Sequence, residues 1–283
     1  MEGKVRPARQ SDKEPLMSFI KEVWGGHDYI PYVWDWWLKD PNGKMFVVEV
    51  GGVPVGMNRV RFLEDGSAWF EGVRVHPDFR GKGLATMLGE NSMRVAEERG
   101  AKVYRLTSGS TNKSAHRQIA RIGFEEASRV SVYRPPKGWR PRRSPGAKRV
   151  TPKDLAEVTD LIERSKEYRL GKGLFWHEYK AAALTPEVLL KLIREGAVWR
   201  YGRAVAVTKE GGEGGSPWEE YCFIGGPVED SLGLLDSLMG WKKGARVRWV
   251  FIPQGSPLIH EVRARGFGRD FALVLFERRS VNG

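Results

Sequence analysis

The run Glu71-Gly72-Val73-Arg74-Val75-His76-Pro77-Asp78-Phe79-Arg80-Gly81-Lys82-Gly83-Leu84-Ala85 decides the fold. A strand over Ala68 to Val75 delivers the chain to a tight, glycine-bearing turn, and a helix from about Gly83 to Arg99 leaves at once. Small residues at 81 and 83 let a ligand approach the main chain. The unpaired N–H groups and positive dipole end of the helix favour a phosphate, and Arg80 and Lys82 add charge at the same place. The stretch reads as a pyrophosphate cradle. Its spacing is neither the Gly-x-x-x-x-Gly-Lys-Ser/Thr of a P-loop nor the Gly-x-Gly-x-x-Gly of a dinucleotide fold. A Gly-x-Gly turn by itself also occurs in ordinary strand–helix connections.

Outward from the turn, Leu84, Met87, Leu88 and Val95 fall on one helical face and Gly100 is a terminator. Upstream, a helix is expected over Lys13 to Val23, then a Trp/Tyr-rich stretch over Trp24 to Leu38. Strands follow at Met45 to Val50 and Val55 to Phe62, joined by the hairpin signal Gly51-Gly52. Downstream, Val103 to Thr107 reads as a strand and Asn112 to Arg121 as a helix.

The second half repeats this order. Thr151 and Pro152 make a sound helix start for the apolar series Leu155, Val158, Leu161 and Ile162, as Asp12 precedes Leu16, Phe19, Ile20 and Val23. From Asp12 to Gly123-Phe124 is 111 residues, and from Asp154 to Gly266-Phe267 is 112. The agreement argues for a duplicated α/β unit. Between the halves, Pro135 to Arg149 holds four prolines, six basic residues and no acid. It reads as a linker, with a nucleic-acid-binding arm as the sharper alternative. The expected domains are 1–134, a linker at 135–148, and 149–283.

The 283 residues, 41% hydrophobic and 29% charged, exclude a disordered or fibrous chain. No run reaches the roughly 18 apolar residues of a membrane span, and the start lacks a signal-peptide pattern. A soluble, cytoplasmic protein without membrane partners is expected. The lone Cys222 excludes an intramolecular disulfide and a multi-cysteine metal site, and no metal is expected. The formal charge of +12 suits an anionic partner or a phosphate-rich cofactor, although a solvated basic surface explains it equally.

Val73-Arg74-Val75-His76-Pro77, Arg80-Gly81-Lys82-Gly83-Leu84-Ala85, Asn112-Lys113-Ser114-Ala115 and Ile122-Gly123-Phe124 resemble, in order and spacing, the GNAT superfamily of acetyl-CoA-dependent N-acetyltransferases. Trp69 to Val75 and Arg105-Leu106-Thr107 resemble its histidine N-acetyltransferase branch. The resemblance implies two tandem α/β domains, each a mixed, mostly antiparallel sheet flanked by helices. It implies that Val73, Arg74 and Val75 meet the pantetheine arm of acetyl-CoA and that Asn112 contacts the cofactor nearby. Backbone N–H groups of Arg80, Gly81, Lys82, Gly83, Leu84, Ala85 and Thr86 would take the pyrophosphate. A neutral amine would attack the thioester directly, with no acyl-enzyme.

Glu71 is the candidate base, with a structural carboxylate paired to an arginine as the alternative. Strand alternation would put it on one face with Val73 and Val75. The family's glutamate often stands two residues earlier, where this chain has Trp69, and Ile119 occupies the position of the family's tyrosine acid. Tyr133, His116 or water would then protonate the thiolate. Tyr29 and Trp34 are candidates to line the acceptor pocket, with Asp28 or Asp35 suiting a cationic amine. The corresponding stretch of the second half, Gly225 to Leu232, has Glu229 and Asp230 in place of the basic glycine turn. It reads as a degenerate domain that holds no cofactor. A small amine or amino acid is the expected substrate, with a protein amine, an acyl-CoA sensor or a nucleic-acid module as rivals.

Overall fold

The computed structural model describes residues 2–138, 146–211, 218–241 and 248–280. Residues 139–145, with the linker's Trp139, Arg140, Arg142 and Arg143, lie outside them, and with them the core of the expected nucleic-acid arm. The chain forms two units. One comprises Met1–Leu106, His116–Glu125 and Glu277–Gly283, the other Thr107–Ala115 and Glu126–Phe276.

The first half of the chain runs β1 (Gly3–Pro7), α1 (Lys13–Ile20), α2 (Ile30–Lys39), β2 (Gly43–Val50), β3 (Val53–Phe62), β4 (Ala68–Val75), α3 (Leu84–Glu98), β5 (Val103–Gly109), α4 (Lys113–Arg121) and β6 (Glu125–Arg134). The first unit's sheet has the order β1-β2-β3-β4-β5, antiparallel up to β4 and parallel between β4 and β5. Gly51 and Gly52 take φ of 59° and 81°, the left-handed pair that a two-residue hairpin needs. On α2, Ile30, Val33, Trp34 and Trp37 follow helical spacing and are buried with Leu16, Phe19 and Ile20 of α1 against Met45, Val47 and Met57 of the sheet. Leu84, Leu88 and Val95 bury one face of α3, and the chain turns out of the helix at Gly100 with φ of 76°.

The second half runs β7 (Lys148–Arg149), α5 (Leu155–Arg164), α6 (Lys166–Leu170), β8 (Leu174–His177), β9 (Lys180–Ala183), α7 (Pro186–Arg194), β10 (Val198–Tyr201), β11 (Ala204–Gly211), β12 (Trp218–Gly225), α8 (Val228–Trp241), β13 (Arg248–Pro253), α9 (Leu258–Ala264) and β14 (Gly268–Arg279). Thr151, the expected cap, forms a capping box with Asp154, whose Oδ2 lies 2.8 Å from the Thr151 N–H nitrogen and 2.7 Å from its hydroxyl. The second unit repeats the first unit's plan: antiparallel β10-β11-β12, then a parallel step from β12 to β13.

Each unit borrows from the other half of the sequence. β6 follows the first Gly-Phe pair, yet it pairs with β13 inside the second unit, Tyr133 opposite Val250. The end of β14 serves the first unit. Arg105 Nε donates to Glu277 Oε2 at 2.9 Å, and the Ser280 N–H to the Lys102 carbonyl at 2.9 Å. Among the described residues no helix is long and apolar enough to cross a membrane.

Candidate functional site

β4 pairs with β5 only at Ala68–Tyr104 and Trp69–Arg105. From Phe70 onward that edge of β4 is released from the ladder. The chain then enters the turn at Gly81 and Gly83, whose φ of 76° and 77° are left-handed. Nothing lies within 4 Å of the place a Cβ would occupy at either glycine. The first backbone bond into α3 runs from the Met87 N–H to the Gly83 carbonyl, and among the described residues the N–H groups from Gly81 to Thr86 meet no acceptor. Leu84, 3% exposed, anchors the start of the 15-residue helix. An open, glycine-lined ring of donors at the positive end of a long helix fits a pyrophosphate.

The basic side chains here are partly used. Lys82 Nζ donates to the Asp78 carbonyl at 2.9 Å and lies 4.9 Å from the centre of the Phe79 ring. Arg80 Nε reaches the Val75 carbonyl at 3.2 Å, and Arg74 Nη1 the Val73 carbonyl at 2.9 Å.

The expected alternation along β4 fails at one residue. Arg59 of β3 stands opposite Glu71 and Met57 opposite Arg74, so β4 spends one residue more than β3 over this interval. Gly72 makes that bulge possible with φ of 71°, and a Cβ there would come within 2.7 Å of Trp37 Cζ3. Opposed residues share a face, and so do residues 57 and 59 of β3. Glu71 therefore shares its face with Arg74 rather than with Val73 and Val75. Val73 is 45% exposed.

That face carries a buried charge network. Arg59, fully buried, donates from Nη1 to Glu71 Oε1 at 2.5 Å and from Nη2 to Asp40. Its guanidinium carbon lies 4.7 Å and 5.2 Å from the ring centres of Trp37 and Trp36. Arg74 Nε donates to Asp28 Oδ2 at 2.6 Å, and the other oxygen of Asp28 caps α2 through the Ile30 N–H at 2.9 Å. Asp28 is thus committed within the protein. Asp35 is bonded to Lys13 and Gln10 on the surface.

Tyr29 lies beside Arg74, its ring centre 5.6 Å from the guanidinium carbon, and meets Trp37 edge-on at 5.7 Å. Loss of water around its hydroxyl, together with the Glu71 carboxylate, pushes the Tyr29 phenol above its ordinary value. The residue as a whole keeps 40% of its surface. A neutral phenol is left as a hydrogen-bond donor. Tyr29 is thus an open aromatic wall, whereas Trp34 is fully withdrawn into the core.

The remaining candidates have partners of their own. Tyr133 is buried in the apolar core of the second unit, with Val250, Ile252 and Leu258. Asn112 caps α4, its Oδ1 accepting from the Ala115 N–H at 3.1 Å. His116 is half-buried on α4, and Trp176 is buried with its ring stacked on Phe251 at 6.0 Å. In the second unit the turn after β12 is crowded. A Cβ at Gly226 would lie 2.7 Å from the Ala204 Cα, and Asp230 accepts from the Arg203 N–H at 2.9 Å. Arg59 and Asp40 escaped the sequence reading. The available signal was an arginine inside an otherwise apolar strand whose hairpin register sets it across from Glu71.

Residues 10–124 match the acetyltransferase (GNAT) family. An uncharacterised N-acetyltransferase from Methanocaldococcus jannaschii is 30% identical over 149 residues, which cover 48% of this chain and 63% of that one. A histidine N-acetyltransferase from Xenopus tropicalis is 28% identical over 173 residues, 56% of this chain and 52% of the relative. The matches thus span about half to two thirds of these relatives' lengths. The crystal structure of a GCN5-related N-acetyltransferase from Sphaerobacter thermophilus shares the fold, with a TM-score of 0.65 at 17% identity over 98% of this chain and 95% of that one. The segment 10–124, with its split β4–β5 pair and the glycine turn that heads α3, thus matches the acetyltransferase (GNAT) family.

Proposed function

We propose that the chain is an acetyl-CoA-dependent N-acetyltransferase that acts on a small primary amine. The observation that carries this reading is the open turn at Gly81 and Gly83, with its run of donors from Gly81 to Thr86 that have no acceptor among the described residues. These N–H groups would hold the pyrophosphate, and the released edge of β4 from Val73 to Val75 would lie along the pantetheine. Acetyl-CoA supplies the activated acyl group. The residues of the chain have to bind the amine, strip its proton and keep the reacting groups in register.

Glu71 is suited to the first two tasks. Its Oε1 is fixed by Arg59, which leaves Oε2 to receive the proton of an ammonium, directly or through water. Arg59 is itself shared with Asp40, which also lies 3.5 Å from Arg61 Nε. Tyr29 offers an aromatic face and a neutral hydroxyl. The histidine N-acetyltransferases among the relatives make free α-amino acids the first acceptor class to test. The test is thiol release from acetyl-CoA with a panel of amino acids and amines, with the acetylated product identified by mass. Release with no member of the panel, from protein that binds the cofactor, would overturn the acceptor class. Failure to bind coenzyme A would overturn the enzyme itself.

A further inference from the structure

The second unit gathers three side chains of metal-ligating chemistry far in sequence from the glycine turn. Glu220 and Cys222 lie two residues apart on β12, where the ladder to β11 slips by one residue at Cys222. His177 ends β8, with Nδ1 3.0 Å from Glu220 Oε2. The His177 nitrogen, a Glu220 oxygen and Cys222 Sγ all lie within 4.8 Å of one another. Cys222 is the single cysteine of the chain and is 1% exposed, and its thiol lies 3.8 Å from the Glu220 carbonyl. Glu220 is fully buried; its carboxylate also accepts from Trp218 Nε1 at 2.7 Å and the Glu178 N–H at 2.9 Å. The His177 side chain keeps 25% of its surface, which gives an ion a way in.

An imidazole nitrogen, a sulfur and a carboxylate oxygen form a donor set for zinc and its neighbours, and a poor one for calcium or magnesium, which take all-oxygen shells. A fully buried carboxylate also favours a compensating positive charge. We propose that His177, Glu220 and Cys222 bind one divalent ion of the zinc class, with a fourth position open on the His177 side. Small side-chain rotations bring the three donors to coordination distance. As the ion enters, the Cys222 S–H proton leaves to solvent and the imidazole proton moves from Nδ1 to Nε2. The Nδ1 lone pair, the thiolate and the carboxylate form the three bonds, and one proton is released per ion. No redox change is involved, and the inference is independent of the acetyltransferase reading.

Zinc-edge X-ray absorption of the full chain loaded with one equivalent of Zn²⁺ tests the proposal without a variant. A single sulfur neighbour at about 2.3 Å is expected, and with one cysteine in the chain it identifies Cys222. A shell of nitrogen and oxygen alone, which an adventitious surface ion would give, overturns it. As a second measurement, Co²⁺ is expected to give a thiolate charge-transfer band that Cys222→Ser abolishes. His177→Gln should weaken Co²⁺ binding by more than about 100-fold, beyond the usual cost of losing an outer-shell partner. Both variants are first shown by thermal melting to be folded without metal. A band that persists in folded Cys222→Ser, or affinity unchanged in folded His177→Gln, also overturns the site.

Discussion

Arg59 and Glu71 face each other across the β3–β4 ladder, the guanidinium fully buried and its Nη1 2.5 Å from the carboxylate. The pair is not isolated, because Asp40 takes the other Nη of the same guanidinium. One buried cation thus fixes two carboxylates, one at the end of α2 and one on the strand that leads to the glycine turn. The structural role of Glu71 and its proposed catalytic role are therefore compatible: one oxygen is fastened by Arg59 and the other is left for the proton.

Glu71→Gln keeps the shape of the side chain and removes its charge. On the proposed role, kcat/KM falls by about 100-fold or more, in the range general-base catalysis supplies, and the loss of activity toward low pH weakens. Steady-state rates with the best acceptor, read across pH, check this. Unchanged turnover with an unchanged profile leaves Glu71 with its structural role alone.

Arg59→Met strands the Glu71 carboxylate, 12% exposed at its side chain, and leaves Asp40, 5% exposed, with Arg61 Nε at 3.5 Å. Removing one partner of a buried pair costs about 3–5 kcal/mol. Adding Glu71→Gln to Arg59→Met should recover part of this loss, since the stranded charge is gone. Urea unfolding of the single and double variants gives the answer, and a double variant less stable than Arg59→Met would contradict it.

Two glycines of the same segment separate stability from binding. At Gly72 a Cβ would meet Trp37 Cζ3 at 2.7 Å on a left-handed backbone, so Gly72→Ala is expected to cost about 2–4 kcal/mol from strain and overpacking. At Gly81 the space is open, and an alanine there costs only the backbone preference, about 1–2 kcal/mol. Gly81→Glu instead fills the proposed phosphate position with a negative charge. It should melt near the Gly81→Ala value yet lose coenzyme A binding by calorimetry. Equal coenzyme A affinity in Gly81→Glu and the parent would place the cofactor elsewhere.

The turn was legible in the sequence because a left-handed glycine at the head of a helix is a local property. The Gly51-Gly52 hairpin was legible for the same reason. The alternation of β4 was misread because the bulge at Gly72 shows only when β3 supplies the register, and the Arg59–Glu71 pair depends on the same ladder. Trp34 could have been placed by its own helix. Ile30, Val33, Trp34 and Trp37 mark the buried stripe, and Tyr29, Tyr32 and Trp36 lie off it. Tyr133 was out of reach, since nothing local tells β6 to pair with β13.

Acid should weaken the first unit through Asp12. Burial opposes ionisation of this carboxyl, but two bonds from Arg6, at 2.7 and 2.8 Å, and one from the Arg9 N–H at 2.7 Å outweigh it and hold the group below its ordinary value. A carboxyl whose folded value is depressed stabilises the fold above its unfolded value, near about pH 4, and that contribution is lost as pH falls through the folded value. Asp12→Asn is expected to lose about 1–3 kcal/mol at pH 7. The gap to the parent should narrow steadily below about pH 4. Denaturation curves at both pH values check the sign, and a gap that widens in acid refutes it.

The segment from Glu277 should matter to cofactor binding although it lies 172 residues from its partner Arg105. Arg105, 6% exposed, is held by Asp65 at 2.6 Å and Glu277 at 2.9 Å. Arg278 Nη1 donates to the Ile122 carbonyl at 2.6 Å, at the end of α4. Removing residues 277–283 takes away the second carboxylate of a buried arginine that keeps Asp65, and the tie on α4 together, a loss of about 1–3 kcal/mol by the first effect alone. Because Arg105 pairs with Trp69, at the point where β4 leaves β5, the loosening falls beside the released strand edge. The truncated chain should therefore show weaker coenzyme A binding by calorimetry and faster proteolysis within residues 2–106. Glu277→Gln, which keeps the backbone strand, should show a smaller loss of both. A truncated chain that binds coenzyme A as the parent does would mean that the first unit closes without its borrowed strand.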